Sequence, residues 1–171
     1  SLRSQLAAVV LGLVALGLSA CTPAGVWTWG ANSAGQLGDG TLNDRAAPVA
    51  VDVDWKLVSV GGNHTLAIRS DGSLWAWGRN ADGQVGDGTT TDRPTPVRIS
   101  ASTDWTVVSA GAQHSMALRA DGSLYAWGYN ATGQLGVGST LAQPYPTLAS
   151  TGWKAVAAGQ DHTVAVSTSG N

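Results

Sequence analysis

Along residues 64–69 the side chains alternate, with His64, Leu66 and Ile68 large and Thr65 and Ala67 small. A period of two sorts such residues onto opposite faces of an extended strand. His114, Met116 and Leu118 alternate in the same way with Ser115 and Ala117, and His162, Val164 and Val166 with Thr163 and Ala165. Each segment therefore predicts a strand with one bulky face and one flat face that a neighbouring sheet can approach. In each, the histidine opens the bulky row.

The flanking pattern extends this to a unit of four short strands. Trp55 to Val60 reads as the first, and His64 to Arg69 as the second. Asp71-Gly72 follows, a strong hairpin signal because both residues tolerate the positive φ that a two-residue turn needs. Leu74 to Trp77 reads as the third strand, and a Gly-rich loop comes next. Pro96 to Ile99 reads as an edge strand, where a proline's missing N–H does least harm. Pro48 to Val51 is its counterpart upstream.

Sliding the chain against itself aligns Trp29, Trp77 and Trp127, each followed by Gly, and separately Trp55, Trp105 and Trp153. The loops "NSAGQLGDGT", "NADGQVGDGT" and "NATGQLGVGS" align at Asn32, Asn80 and Asn130. A period of about 50 residues, with turn signals throughout, indicates one small sheet per repeat, as in propeller blades. A single such sheet is too small to stand alone, so neighbouring units must pack. Trp29, Trp77 and Trp127 are expected in that core. Trp27 and Trp75, matched by Tyr125, point to the same face.

The consensus "VSAGxxHSxALxxDGxLxxWGxNxxGQLGxG" resembles the repeat of the regulator of chromosome condensation family in its bacterial form. The resemblance covers nearly everything from Val26 to Gly170. It implies an all-β fold of four-stranded antiparallel blades around a central axis, commonly about seven to a ring. Three repeats' worth of sequence is present, permuted: a half repeat over residues 26–54, full repeats over 55–104 and 105–152, and a half repeat over 153–171. The first half supplies a third and fourth strand, and the last supplies a first and second. Two readings stay open: a fragment of a longer gene, or copies whose C-terminal halves pair with the N-terminal halves of others. The matching breakpoints favour the second. Such a head-to-tail contact closes a ring or grows a filament.

Residues 1–20 stand outside this pattern. Arg3 precedes an apolar run from Leu6 to Leu18 that is short for a membrane span and suits a signal-peptide core. Leu18-Ser19-Ala20-Cys21 resembles the lipobox of bacterial lipoproteins, which implies lipidation of Cys21 and a membrane anchor in the cell envelope. Cys21 is the only cysteine, so it has no partner for an internal disulfide. Residues 21–25 would then be the lipidated cysteine and a short tether, holding the first strand close to the bilayer.

Composition narrows the chemistry. The net charge is −2 with no basic cluster, which argues against nucleic acid as a partner. All 11 acidic residues are aspartate, so a calcium loop ending on a bidentate glutamate is ruled out. The "GQLGDG" loops lack the Lys-Ser/Thr pair of a phosphate-binding loop. No Gly-x-Ser-x-Gly elbow occurs, and no repeat carries a nucleophile its siblings lack, so no catalytic residue, metal site or cofactor is assigned. His64, His114 and His162 are read as structural, buried and satisfied by backbone hydrogen bonds near a Gly turn.

Candidate binding residues are then those that vary or open onto loops: Arg45, Arg79, Arg93 and Tyr129, together with Trp55, Trp105 and Trp153, which would need to be partly exposed. The reading this supports is a non-enzymatic, membrane-tethered binding or assembly module working through protein contacts, other copies of itself among the candidate partners. Two alternatives are an envelope carbohydrate-binding protein, which requires exposed tryptophans, and an inhibitor of a secreted hydrolase. The resemblance also brings to mind nucleotide exchange on a nuclear GTPase and chromatin binding. Neither is carried over, because the chain lacks a basic tail and any long insertion between repeats.

Overall fold

A computed structural model describes residues 25–52 and 54–169. Cys21 and the apolar leader lie outside the described residues, as does the chain end after Ser169. Among the described residues every regular element is a strand. β1 (Val26–Gly30) and β2 (Arg45–Asp52) form a two-stranded sheet. β3 (Trp55–Val60), β4 (His64–Arg69), β5 (Leu74–Gly78) and β6 (Arg93–Arg98) form a four-stranded one. β7 (Trp105–Ala110), β8 (His114–Arg119), β9 (Leu124–Gly128) and β10 (Gln143–Ser150) form the next. β11 (Trp153–Ala158) and β12 (Thr163–Ser167) close the series as a second two-stranded sheet. All pairings are antiparallel between neighbours, as blades require.

The fourth strands are longer than the proline positions alone suggest. β6 runs from Arg93 to Arg98 where the sequence predicts Pro96 to Ile99, and β2 runs from Arg45 to Asp52 around the expected Pro48 to Val51. The reason is a bulge. Gly78 pairs Arg93 and Ala76 pairs Val97, so Pro94, Thr95 and Pro96 together stand opposite Trp77. The bulge lifts both prolines out of the hydrogen-bonded ladder while the strand continues.

Packing between sheets follows the large and small faces. Leu66, Ile68 and Leu74 of one blade meet Trp105, Val108, Ala117 and Trp127 of the next. Met116, Leu118 and Leu135 meet Val156, Ala158 and Ala165 of the C-terminal half-sheet. Trp55, Ala67 and Trp77 form the third cluster, against Val26 of the N-terminal half-sheet. Trp77 and Trp127 are fully buried, and each buried indole contributes a few kcal/mol at roughly 25 cal/mol per Å².

Trp29 departs from its predicted place in the core. It is 58% exposed, because the face it shares with Trp77 and Trp127 has no preceding blade to pack on. His162 is likewise exposed, in contrast to buried His64 and His114.

Candidate functional site

The histidines act between blades. His64 Nε2 lies 2.9 Å from Ser115 Oγ on the next sheet, and Ser115 Oγ donates at 2.7 Å to the carbonyl of Gln84. A hydroxyl has one proton, so Ser115 must accept from His64, which fixes the Nε2–H tautomer. His114 Nε2 meets Thr163 Oγ1 at 3.2 Å, and Thr163 donates to the carbonyl of Gln134 at 2.8 Å. Thr65 donates to the carbonyl of Gln36 at 3.0 Å. This corrects the expectation that backbone groups satisfy the histidines: the partner is a hydroxyl from the following blade. The residue after each histidine supplies it, and that residue's place on the opposite face is what carries it across.

The bare Nδ1 of His64 is buried without a partner and sits against Gly61. Burial pushes the His64 pKa down to about 3, with His114 and Arg79 adding repulsion. Burial also lowers His114. Both rings are neutral links in a wall. Among the described residues, no three histidine, cysteine or aspartate side chains gather closely enough to hold a metal ion.

The Gly-rich loops are tied by their asparagines. Asn80 is fully buried; its Nδ2 donates to Asp87 Oδ1 and the carbonyls of Thr89 and Thr91, and its Oδ1 accepts from the Val85 amide. Asn32 and Asn130 hold their loops in the same way. Asp39 gains hydrogen bonds from Thr41, Arg45 and Asn32. Burial raises its pKa, but those bonds outweigh it and hold the carboxyl at about 2.

The proposed binding arginines belong to this scaffold. Arg45 pairs with Asp39 at 2.6 Å and Arg93 with Asp87 at 2.5 Å, while Arg79 pairs with Asp82 at 3.1 Å. In the third repeat Val137 replaces the aspartate and Gln143 the arginine, so both members of the pair are exchanged together. Tyr129 is half-buried beside that loop.

Trp55 and Trp105 do not meet the requirement of exposure either. They are 8% and 4% exposed. Trp55 packs edge-on to Trp75 at 5.9 Å, with the Arg69 guanidinium 4.7 Å above its ring, and Trp105 packs on Tyr125 at 5.2 Å. Trp153 is half-buried. Their regular place in each blade serves packing, and a sugar-stacking platform would need rings turned outward. The carbohydrate reading loses its surface.

What remains open is the pair of half-sheets. Trp27 and Trp29 on β1 are each 58% exposed, and Val164 and Val166 on β12 are 58% and 48% exposed. Both strands pair on one side only. Sequence reasoning placed the breakpoints but assigned Trp29 to the core and left Val164 and Val166 out of the candidate site. Their signal was available, since they occupy the positions of Leu66 and Ile68 in a unit with no strand after them.

Three successive segments, residues 24–68, 71–118 and 121–166, match the Regulator of chromosome condensation (RCC1) repeat, and a second pattern of that description matches 55–84 and 105–134. The chain belongs to the RCC1 repeat family. Among solved structures it is similar to Prp20p from Saccharomyces cerevisiae, a protein studied for its binding to Gsp1p and histones. That likeness has 23% identity and a TM-score of 0.73, over 81% of this chain and 38% of that one. Yeast RCC1 (Prp20) bound to Kap60 gives 27% identity and a TM-score of 0.72, over 84% of this chain and 38% of that one. Human WBSCR16 gives 20% and 0.55, over 84% of this chain and 53% of that one. The RCC1 repeats here thus span 38% of the length of the yeast relatives, and the fold is a β-propeller arc. No curated protein matches the sequence.

Proposed function

We propose that this chain is a non-enzymatic protein-binding and assembly module, held at a bacterial membrane by lipid on Cys21. One observation carries the binding part: the large apolar side chains of β1 and β12 stand exposed on strands with an unpaired edge. Such edges are templates for another chain's strand, and proteins normally blunt them with charge or proline. Neither β1 (VWTWG) nor β12 (TVAVS) carries either. The polar groups that a catalytic reading would recruit, His64, His114, Asp39 and Asp87, are engaged within the blades. Contacts between proteins are also the typical work of this repeat family. The lipid anchor is supported by the Leu18-Ser19-Ala20-Cys21 motif behind an apolar run.

Photo-crosslinkers placed at Trp29 and Val164 in the full chain, in intact cells, test the binding part. Discrete protein adducts at both positions, absent with the crosslinker at exposed Arg98, are the expected result. Equal labelling at all three positions, or none at Trp29 and Val164, overturns it. Incorporation of a clickable fatty acid that Cys21→Ala abolishes tests the anchor, and an unlabelled native chain overturns that part.

A further inference from the structure

The two half-sheets fit one another. β4 pairs β5 with His64 opposite Gly78, Thr65 opposite Trp77, Leu66 opposite Ala76 and Ala67 opposite Trp75. β8 and β9 repeat the register, from His114 opposite Gly128 to Ala117 opposite Tyr125. Carried to the half-sheets, His162 falls opposite Gly30, Thr163 opposite Trp29, Val164 opposite Thr28 and Ala165 opposite Trp27. β1 and β12 belong to separate sheets of this chain, with two complete sheets between them.

The C-terminal side has a vacant seat for an indole. Trp77 Nε1 donates to the Gln36 carbonyl at 3.0 Å, and Trp127 Nε1 donates to the Gln84 carbonyl at 2.9 Å. Each ring lies flush on a glycine: a Cβ on Gly38 would stand 2.6 Å from Trp77, and one on Gly86 would stand 2.5 Å from Trp127. In the third repeat the Gln134 carbonyl accepts from Thr163, yet among the described residues no indole reaches it. Gly136, the counterpart of Gly38 and Gly86, has nothing within 4 Å. A cleft of about 440 Å³ opens there, lined by Gln134, Leu135, Gly136, Trp153, Thr163 and Ala165.

The fourth strand has its own vacancy. Pro94 and Pro144 press on Gly35 and Gly83, and their carbonyls accept from the amides of Gly40 and Gly88 at 3.0 and 2.9 Å. Gly133 and Gly138, the next in the series, have nothing within 4 Å. Ala46 on β2 holds the proline position, because Arg45 pairs Gly30 as Arg93 pairs Gly78. The outgoing side is complementary as well. A second cleft, of about 260 Å³, is lined by Trp29, Val58, Val60, Thr65 and Trp77, and Val164 and Val166 sit where Leu66 and Ile68 fill the corresponding space one blade on.

We propose that β1–β2 of a second copy of this chain completes β11–β12 as one composite blade, with Trp29 seated on Gly136 and Gln134. His162 then donates to Thr65 of the second copy, as His64 does to Ser115. This rests on the protein-binding reading and names its partner. The contact is heterologous, so it generates a ring or a filament from the same surfaces.

Two chains test it in the Cys21→Ala background, one carrying Thr28→Cys and the other Val164→Cys. Mild oxidation of the mixture is expected to give a disulfide-linked pair, while Thr28→Cys with Val156→Cys, out of register, gives none. Light scattering of the Cys21→Ala chain is expected to show a dimer or a ladder, and Trp29→Ala and Val164→Lys each to weaken association at least about tenfold. Both substituted side chains are exposed in the single chain, and an unchanged far-ultraviolet circular dichroism spectrum confirms that the variants fold. A monomer with no in-register crosslink overturns the proposal, as does association that neither variant weakens. Photo-adducts at Trp29 with other proteins, without self-crosslinking, overturn the second copy while leaving the binding reading intact.

Discussion

His64 Nε2 reaches 2.9 Å to Ser115 Oγ across the boundary between two blades, and Ser115 passes its own proton to the Gln84 carbonyl. The same histidine-hydroxyl-carbonyl relay recurs at His114, Thr163 and Gln134. Each relay ties three elements: the second strand of one blade, the second strand of the next, and the Gly-rich loop lying over both. It is a polar clamp inside an apolar interface, and it needs the imidazole neutral.

That requirement sets a pH dependence. The folded-state pKa of His64 is depressed to about 3 from 6.5, so below 6.5 the unfolded chain binds more protons than the folded one. The contribution is fully present above pH 6.5 and is lost as pH falls toward the folded value. Thermal midpoints followed by circular dichroism are expected to decline between about pH 6.5 and 4, and His64→Asn to flatten that slope. Asp39 titrates lower, between 3.8 and about 2, so its loss appears only in stronger acid.

Ser115→Ala removes the acceptor of His64 and the donor to Gln84 together. Leaving a buried imidazole N–H unpaired costs roughly 1–3 kcal/mol, and denaturant midpoints at neutral pH should show that loss. Ser115→Thr restores the hydroxyl, as Thr163 supplies it in the third repeat, and is expected to recover most of it.

Gly86→Ala and Gly136→Ala compare a filled seat with an empty one. Both glycines have positive φ, 87° and 66°, which costs an alanine about 1–2 kcal/mol. At Gly86 the new methyl also meets the Trp127 indole, and overpacking adds about 1–3 kcal/mol. Urea unfolding should therefore rank Gly86→Ala as clearly the more damaging.

Trp77→Ala empties a fully buried site and is expected to cost about 3–5 kcal/mol. Trp29→Ala, at the equivalent position, removes an indole that is 58% exposed and should leave the single chain's unfolding midpoint nearly unchanged. Equal losses from the two would show that Trp29 is buried in solution.

Asp87 and Arg93 test whether the loop pair is coupled. Asp87→Ala also strips hydrogen bonds from Asn80 and Thr89, so it should cost more than Arg93→Ala. A double-mutant cycle is expected to give a coupling of about 0.5–3 kcal/mol. The natural exchange to Val137 and Gln143 in the third repeat is what such coupling predicts.

Much of this was legible in the alternation of large and small residues. His64-Thr65-Leu66-Ala67-Ile68 dictates a strand with two unlike faces, Asp71-Gly72 dictates the hairpin, and the recurrence of Trp-Gly sets one sheet per repeat. Those signals are local, because side-chain period and turn geometry depend on neighbours in sequence, and they fixed the repeat units and the half-sheets at the two ends of the series. The sequence could not say what each side chain would meet across a blade boundary. Arg45 and Arg93 look like free binding groups until Asp39 and Asp87 are seen beneath them. Trp55 and Trp105 look like loop-edge aromatics until Trp75 and Tyr125 close over them. Trp29 and Trp77 share a motif, yet one is exposed and the other buried. Only the tertiary structure decides such cases, because burial and hydrogen-bond partnership depend on whether the next sheet is there to supply the other side.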